Sequence, residues 1–218
     1  MSFTVTQPLP GLVHLDFDSF SRLGKALIRP QEFAESPKFQ DKVFTTSEMK
    51  RYYKNFSGRV YDTFSGFNIP GHYVTRFFDE FPSITAAELE VKKLLDSLNL
   101  PERFYLIASA EKATKKESLK AGDHELSHAL WYLNDTYREE QKVTIAQLPE
   151  EYRSSVYNRL LSWGIYGPSV IDDEVHAYLT TDSLSKISQR FRWHELPKEV
   201  ENCHNELNAR LLKVLGRN

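Results

Sequence analysis

The chain has 218 residues, a length that suits one domain with a sizeable core, and we expect a single domain over 1–218. Its 28 lysines and arginines nearly balance its 30 aspartates and glutamates, so charge favours neither nucleic acid nor an anionic membrane as the main partner. The only cysteine is Cys203, which excludes an intrachain disulfide and a thiolate-rich metal site.

The first hundred residues show few regular patterns, and we expect an irregular, aromatic-rich N-terminal part over about 1–100. The alternating segment LVHLDF (12–17) predicts a short strand, and Ser19 stands where a helix could be capped. Thr85 and Glu88 have the spacing of a capping box, which predicts the start of another helix.

The region from about 101 to 218 has mainly helical patterns, and we expect it to carry the functional site. It opens with RFYLIASA (103–110), a compact apolar run that predicts a strand. Helices are predicted through 123–135, at about 149–163, at about 169–179 with Ser169 as its cap, and from Pro197 onward. The predicted fold class is therefore α+β, rich in helices, with a small sheet.

One predicted helix contains DHELSHALWYLND (123–135), in which two histidines lie four residues apart. On a helical wheel His128 falls about 40 degrees from His124, so both imidazoles can reach one point on the same face. The leucines of the segment lie on the opposite face, which predicts that the helix buries them and turns its histidines away from the core. Glu125 falls at about 100 degrees, beside the histidine face.

This arrangement suits metal-assisted hydrolysis. Two neutral imidazoles bind a borderline-soft divalent ion without cancelling its charge, and the ion can then lower the pKa of a bound water to roughly 7. A neighbouring carboxylate can take the proton of that water and pass it to a leaving amine. His-Glu-x-x-His on a helix is the known pattern for this chemistry, so His124 and His128 are candidate ligands and Glu125 the candidate base.

A catalytic zinc usually has three protein ligands, and Glu174 is the candidate for the third. In the later helical segment GPSVIDDEVHAYLTT (167–181), Glu174 falls in the middle of the apolar face, where a carboxylate needs a positive partner. That partner is either a metal ion or an arginine such as Arg159. His176 falls on the opposite side of the wheel, and we expect it at the surface.

HELSH followed by EVHAY resembles the zincin metallopeptidases, specifically the gluzincin branch, over about twenty residues in two segments. The resemblance implies that His124, His128 and Glu174 bind one zinc ion per chain and that Glu125 is the general base. The N-terminal part is not assigned to a family by this resemblance.

The chain departs from the gluzincin pattern at one position. Many members have an aspartate four residues after the ligand glutamate, whereas this chain has Tyr178. Its phenol could orient a ligand or stabilise an oxyanion, or it could be a core tyrosine. Tyr166, His194 and His204 are further candidates for an electrophile, although a single such residue is more often structural. The resemblance also implies an edge strand beside the active-site helix that pairs with an extended substrate, and 103–110 is the candidate.

The sequence therefore predicts a zinc-dependent hydrolase, a metallopeptidase that cleaves peptide or amide bonds. Two alternatives are a zincin-like scaffold that serves as a non-catalytic binding or regulatory module, and a zinc amidase with a small-molecule substrate. The chain lacks both a run of roughly 18 apolar residues and a secretory pattern, so we expect a soluble, cytoplasmic protein without a membrane or nucleic-acid partner.

Overall fold

The computed structural model describes residues 3–54, 66–110, 115–164 and 166–217, and over 115–121 it describes the backbone alone. The described strands are β1 (Phe3–Leu9), β2 (Leu12–Phe17), β3 (Gly66–Pro70) and β4 (Tyr105–Ala110). The described helices are α1 (Phe20–Glu35), α2 (Thr46–Lys54), α3 (Gly71–Glu80), α4 (Ala86–Ser97), α5 (Lys115–Leu133), α6 (Asp135–Ala146), α7 (Glu150–Ser162), α8 (Ile171–Thr181), α9 (Leu184–Phe191) and α10 (Lys198–Val214).

These elements confirm the predicted helix-rich α+β class with a small sheet. The chain forms two compact units, 1–125 and 126–218, and the boundary lies inside α5, which continues across it. We predicted an irregular N-terminal part, but the described residues of the first hundred contain three of the strands and four of the helices. The single domain over 1–218 stays a prediction.

The four strands form one mixed sheet in the order β1-β2-β4-β3. β1 and β2 form an antiparallel hairpin, β2 and β4 run parallel, and β3 is antiparallel to β4. β4 therefore pairs on both sides, and the prediction that 103–110 is an edge strand is wrong. Its first four residues, 105–108, are all buried, and strands buried on both faces lose the alternating pattern, which explains the long apolar run. Within the described sheet, β3 is the edge strand next to β4.

The first unit packs one face of the sheet against α1 and α3, and α4 packs against α1 in the same core. Alternate residues of β2 point into this core, and Val13 and Leu15 are fully buried. Aromatic side chains fill much of the remaining space, including Phe33 from α1 and Phe77 from α3. The aromatic-rich N-terminal sequence is thus largely explained by core packing in the described residues.

The second unit is built from helices, with α8 in contact with α6, α7 and α10. Its apolar core includes Val156, Val175 and Leu207, each fully buried. Because α8 has neighbours on several sides, seven of its eleven residues are buried. A side chain on α8 therefore meets other protein groups in most directions.

Several predicted helix boundaries are confirmed. Ser19 caps α1 by accepting from the backbone of Arg22, and Thr85 and Glu88 form a complete capping box at the start of α4. α7 and α10 begin beside Pro149 and Pro197. None of the described helices is both long enough and apolar enough to span a bilayer.

Two helix ends differ from the prediction. The helix of the opening motif stops at Leu133, because Asn134 takes an extended conformation and caps α6 through its side chain. α8 begins at Ile171 and is preceded by Val170, so Ser169 is not its cap.

Candidate metal centre

α5 carries the first two predicted ligands and the predicted base. His124 and Glu125 are half-buried, whereas only 1% of His128 is exposed. Leu130 is buried, but Leu126 and Leu133 are half-buried. The predicted division into a leucine core and an open histidine face is therefore too simple, because protein covers both sides of this helix around His128.

α8 supplies the third predicted ligand from a position fifty residues later in the chain. Glu174 lies in the first turn of α8 and is 4% exposed. One potential ligand atom from each of His124, His128 and Glu174 lies within 4.8 Å of the others. These atoms can converge on one metal ion, as the sequence predicted.

The His128 ring lies between two carboxylates of α8. Its Nε2 is 3.8 Å from Oε1 of Glu174, and its Nδ1 is 2.9 Å from Oδ1 of Asp173. An N–H at Nδ1 that points to Asp173 leaves the lone pair of Nε2 directed toward Glu174. A ligand histidine whose other nitrogen meets a carboxylate is the usual arrangement around protein-bound metals.

The donor set fits a zinc ion. Two imidazoles and one carboxylate are a recognised ligand set of catalytic zinc sites, in which the fourth position stays open for water or substrate. The ion would also relieve an electrostatic problem, because a carboxylate as buried as that of Glu174 is costly without a positive partner. His124, His128 and Glu174 would hold the ion, and Asp173 would orient His128.

The alternative partner for Glu174 is an arginine such as Arg159. Nε of Arg159 lies 3.4 Å from the backbone carbonyl of Arg190 and donates to it. His128 is a basic group beside Glu174, with Nε2 3.8 Å from Oε1. The contacts of Arg159 therefore do not favour it as the partner of Glu174.

His176 is buried, so the prediction that it lies at the surface is wrong. Its ring stacks on Trp131, with centroids 4.7 Å apart, and its Nε2 lies 2.9 Å from the hydroxyl of Tyr137. The wheel failed because α8 is covered on several sides. Burial lowers the pKa of His176 despite the opposing effect of Asp173.

Asp173 is the charged group between the two histidines. Its Oδ1 lies 3.8 Å from Nδ1 of His176 as well as close to His128. Burial acts to raise the pKa of Asp173, but the attraction of the two histidines outweighs it and leaves the pKa below its usual value. The Asp173 side chain is therefore a carboxylate at neutral pH.

Tyr178 lies on α8 one turn after Glu174. Its hydroxyl is 2.8 Å from that of Tyr166, and Cζ of Arg190 lies 4.4 Å from its ring centroid. Burial, with a further contribution from the Glu174 carboxylate, raises the pKa of Tyr178 to about 12 and that of Tyr166 as well. Both phenols therefore keep their protons at neutral pH, and either can serve as a hydrogen-bond donor.

The other two candidate electrophiles are His204 and His194. His204 meets the backbone carbonyl of Leu179 through Nδ1 at 2.8 Å, and His194 is exposed. His204 thus has a structural partner on α8.

The predicted base, Glu125, contacts the sheet of the first unit. Its Oε2 accepts a hydrogen bond from Nδ2 of Asn68 on β3 at 2.8 Å. Asn68 in turn accepts at Oδ1 from the hydroxyl of Tyr105 on β4, also at 2.8 Å. The carboxylate is held by a side chain that the sequence did not single out.

Comparison with known protein families, curated proteins and solved structures finds no match to this chain. The assignment of the site therefore depends on its residues and their geometry.

Sequence reasoning identified the three metal-ligand candidates but missed Asp173 and Asn68. A signal for Asp173 was present, because it directly precedes the candidate ligand Glu174. However, Asp173 lies in the first turn of a helix, where a negative charge is favourable in any protein. An aspartate at this position therefore does not by itself indicate a metal site. Asn68 gave no signal, since only the fold brings β3 beside Glu125.

We expect Asp173→Asn to weaken zinc binding about 10- to 100-fold. The amide can present its NH₂ group to Nδ1 of His128, which favours the tautomer whose Nε2 carries a proton and cannot bind metal. A competition titration with a chromophoric chelator measures the affinity. Asp172→Asn is the matched control, since this neighbouring carboxylate is exposed and accepts from Tyr157 at 2.7 Å. Equal affinities in the two variants would remove Asp173 from the site.

Proposed function

We propose that this protein is a zinc-dependent hydrolase of the zincin-like metallopeptidase class, gluzincin branch, which cleaves a peptide or amide bond. The observation that carries the proposal is the convergence of His124, His128 and Glu174 within 4.8 Å. The position of Asp173 beside Nδ1 of His128 supports it, because a carboxylate near the second nitrogen is the usual arrangement for a ligand histidine.

In the proposed reaction, a zinc ion held by the three ligands supplies Lewis acidity, which lowers the pKa of water and polarises the substrate carbonyl. Glu125 accepts the proton of the attacking water at its carboxylate and gives it to the nitrogen of the leaving amine. A proton must reach that nitrogen because an amine is a far better leaving group than its anion. Tyr166 and Tyr178 stay protonated and can donate hydrogen bonds.

The zinc content of the protein tests the first part of this proposal. Protein purified without chelator should contain about one zinc per chain by elemental analysis. His128→Ala and Glu174→Ala should each lose most of the metal on dialysis, because two remaining ligands hold a catalytic zinc poorly. The exposed helical histidine of α3 provides the control, and His72→Ala should keep its zinc.

Two results would contradict the proposed site. One is a wild-type protein that binds no metal at saturating zinc, and the other is full zinc retention in both ligand variants. A screen of a peptide library then tests the class of substrate. Cleavage of peptides distinguishes a peptidase from an amidase with a small-molecule substrate, while zinc binding without hydrolysis of any amide indicates a binding module.

A further inference from the structure

The hydrogen bond between Asn68 and Glu125 joins two residues separated by 57 positions in the chain. Asn68 is 8% exposed and Glu125 is half-buried, so water competes little for this bond. A hydrogen bond from an amide to a carboxylate in such surroundings restricts the rotation of the carboxylate, and bonds to charged groups are among the stronger ones in proteins.

The amide of Asn68 has one orientation that satisfies its neighbours. Tyr105 is 1% exposed, and its hydroxyl donates to Oδ1 of Asn68. Because the amide oxygen only accepts hydrogen bonds, the NH₂ group must lie on the side of Glu125. Tyr105 therefore fixes which end of Asn68 meets the carboxylate.

Asn68 lies on β3 and Tyr105 lies on β4. In the β3–β4 register Asn68 pairs with Ile107, and Pro70 pairs with Tyr105, so the two side chains project from the same face. The backbone N–H of Asn68 also donates to Oε1 of Gln31 on α1 at 3.2 Å. The sheet and α1 thus hold the donor that meets Glu125, and rigid elements position side chains better than loops do.

The other carboxylate oxygen lies beside a residue without a side chain. A Cβ atom at Gly66 would be 2.9 Å from Oε1 of Glu125 and 3.2 Å from the carbonyl oxygen of Ala108. Glycine at this position leaves the space that the carboxylate needs. Two residues of β3, Gly66 and Asn68, therefore set the place of Glu125.

We propose that Asn68, oriented by Tyr105, is the positioning residue of the general base: it donates a hydrogen bond to Oε2 of Glu125 and so holds in place the carboxylate that accepts the proton. This inference rests on the proposed function, which assigns proton transfer to Glu125. A carboxylate free to rotate would spend most of its time away from the attacking water, and small misplacements of reacting groups can cost about 100-fold in rate.

Three variants of the zinc-loaded protein test the inference. Asn68→Ala removes the donor, and Tyr105→Phe removes the group that orients it. Asn68→Asp keeps the size of the side chain and the bond from Tyr105, but it replaces the donor with a second carboxylate. The control is Asn208→Ala, which removes a half-buried amide that donates to the backbone carbonyl of Thr180.

With the best-cleaved member of an internally quenched peptide set, we expect Asn68→Ala and Asn68→Asp to lower kcat about 10- to 100-fold while KM changes little. Tyr105→Phe should give a smaller loss. Zinc content should stay at the wild-type level in all variants. A space-filling role would instead leave kcat of Asn68→Asp near that of the wild type, and this result would overturn the inference.

A double-mutant cycle of melting temperatures tests the contact between Asn68 and Glu125 without an activity measurement. If Asn68 holds Glu125, the losses in Tm of Asn68→Ala and Glu125→Ala are not additive, and the double variant melts close to the less stable single variant. Additive losses in Tm would show that Asn68 does not hold Glu125. Wild-type protein that binds zinc and cleaves no peptide or amide would refute the proposed function, and the melting cycle would still decide whether Asn68 holds Glu125.

Discussion

Replacing Glu125 with glutamine should remove hydrolysis while the protein still binds one zinc per chain. Glutamine has nearly the same shape, and its side-chain oxygen can still accept from Nδ2 of Asn68. It cannot take a proton from water, however, so general base catalysis is lost. Such catalysis contributes about 10²- to 10⁴-fold to reaction rates, so kcat should fall by about 100-fold or more.

The measurement pairs zinc content with the rate of cleavage of a confirmed peptide substrate. Glu151→Gln is the control, because Glu151 is an exposed helical glutamate on α7 and its replacement should leave both quantities unchanged. A Glu125→Gln protein as active as the wild type would show that another group takes the proton. Loss of zinc together with activity would show that Glu125 acts on the metal ligands and not on water.

The candidate metal centre shows how much of a site local sequence patterns can predict. The spacing of His124 and His128 places them on one helical face, and this follows from helix geometry alone. Glu174 stands out because a carboxylate on an apolar face needs a positive partner, a rule that holds in any fold. The convergence of these three residues in space was therefore predictable from two short segments.

The same helical wheel failed for His176. It assumes that a helix has one buried and one exposed side, whereas α8 is surrounded by α6, α7 and α10. Trp131 and Tyr137 take up the side on which His176 lies. Packing around a central helix depends on residues distant in the chain, which a wheel does not contain.

The order of the strands in the sheet could also not be predicted from local sequence patterns. The segments of β2 and β4 were recognised by alternation and apolar content, but their parallel pairing joins residues more than ninety positions apart. The apolar run of β4 fits a strand that is buried on both faces and does not reveal its neighbours in the sheet. Asn68 became important only through this topology, since β3 must pair with β4 before Tyr105 can reach it.

The second large effect concerns a buried ion pair of the first unit. Nη1 of Arg29 on α1 lies 3.0 Å from Oε2 of Glu88 on α4, and the two side chains are 5% and 1% exposed. The guanidinium also donates to the backbone carbonyl of Ser83 at 3.2 Å and lies over the rings of Phe77 and Phe81. Burial raises the pKa of Glu88, while Thr85 and Arg29 act in the opposite direction.

We expect Arg29→Met to lower the free energy of unfolding by about 3 to 5 kcal/mol at pH 7, because the Glu88 carboxylate then stays buried without its cation. Loss of Arg29 should raise the pKa of Glu88 further above its unfolded value. A raised folded-state pKa stabilises the protein below the unfolded pKa, and this contribution is lost as pH rises through the folded pKa. The deficit of Arg29→Met should therefore be small near pH 4.5 and grow toward pH 7.

Urea unfolding at several pH values measures this deficit, with Arg22→Met as the control on the same helix. Arg22 pairs with Asp18 at the surface, where its side chain is 54% exposed, so its replacement should matter little at any pH. Arg29→Met combined with Glu88→Gln should be more stable at pH 7 than Arg29→Met alone, since no buried charge remains and glutamine can still complete the capping box. If the double variant is less stable than Arg29→Met, the loss of stability comes from packing around Phe77 and Phe81 and not from the buried, unpaired carboxylate of Glu88.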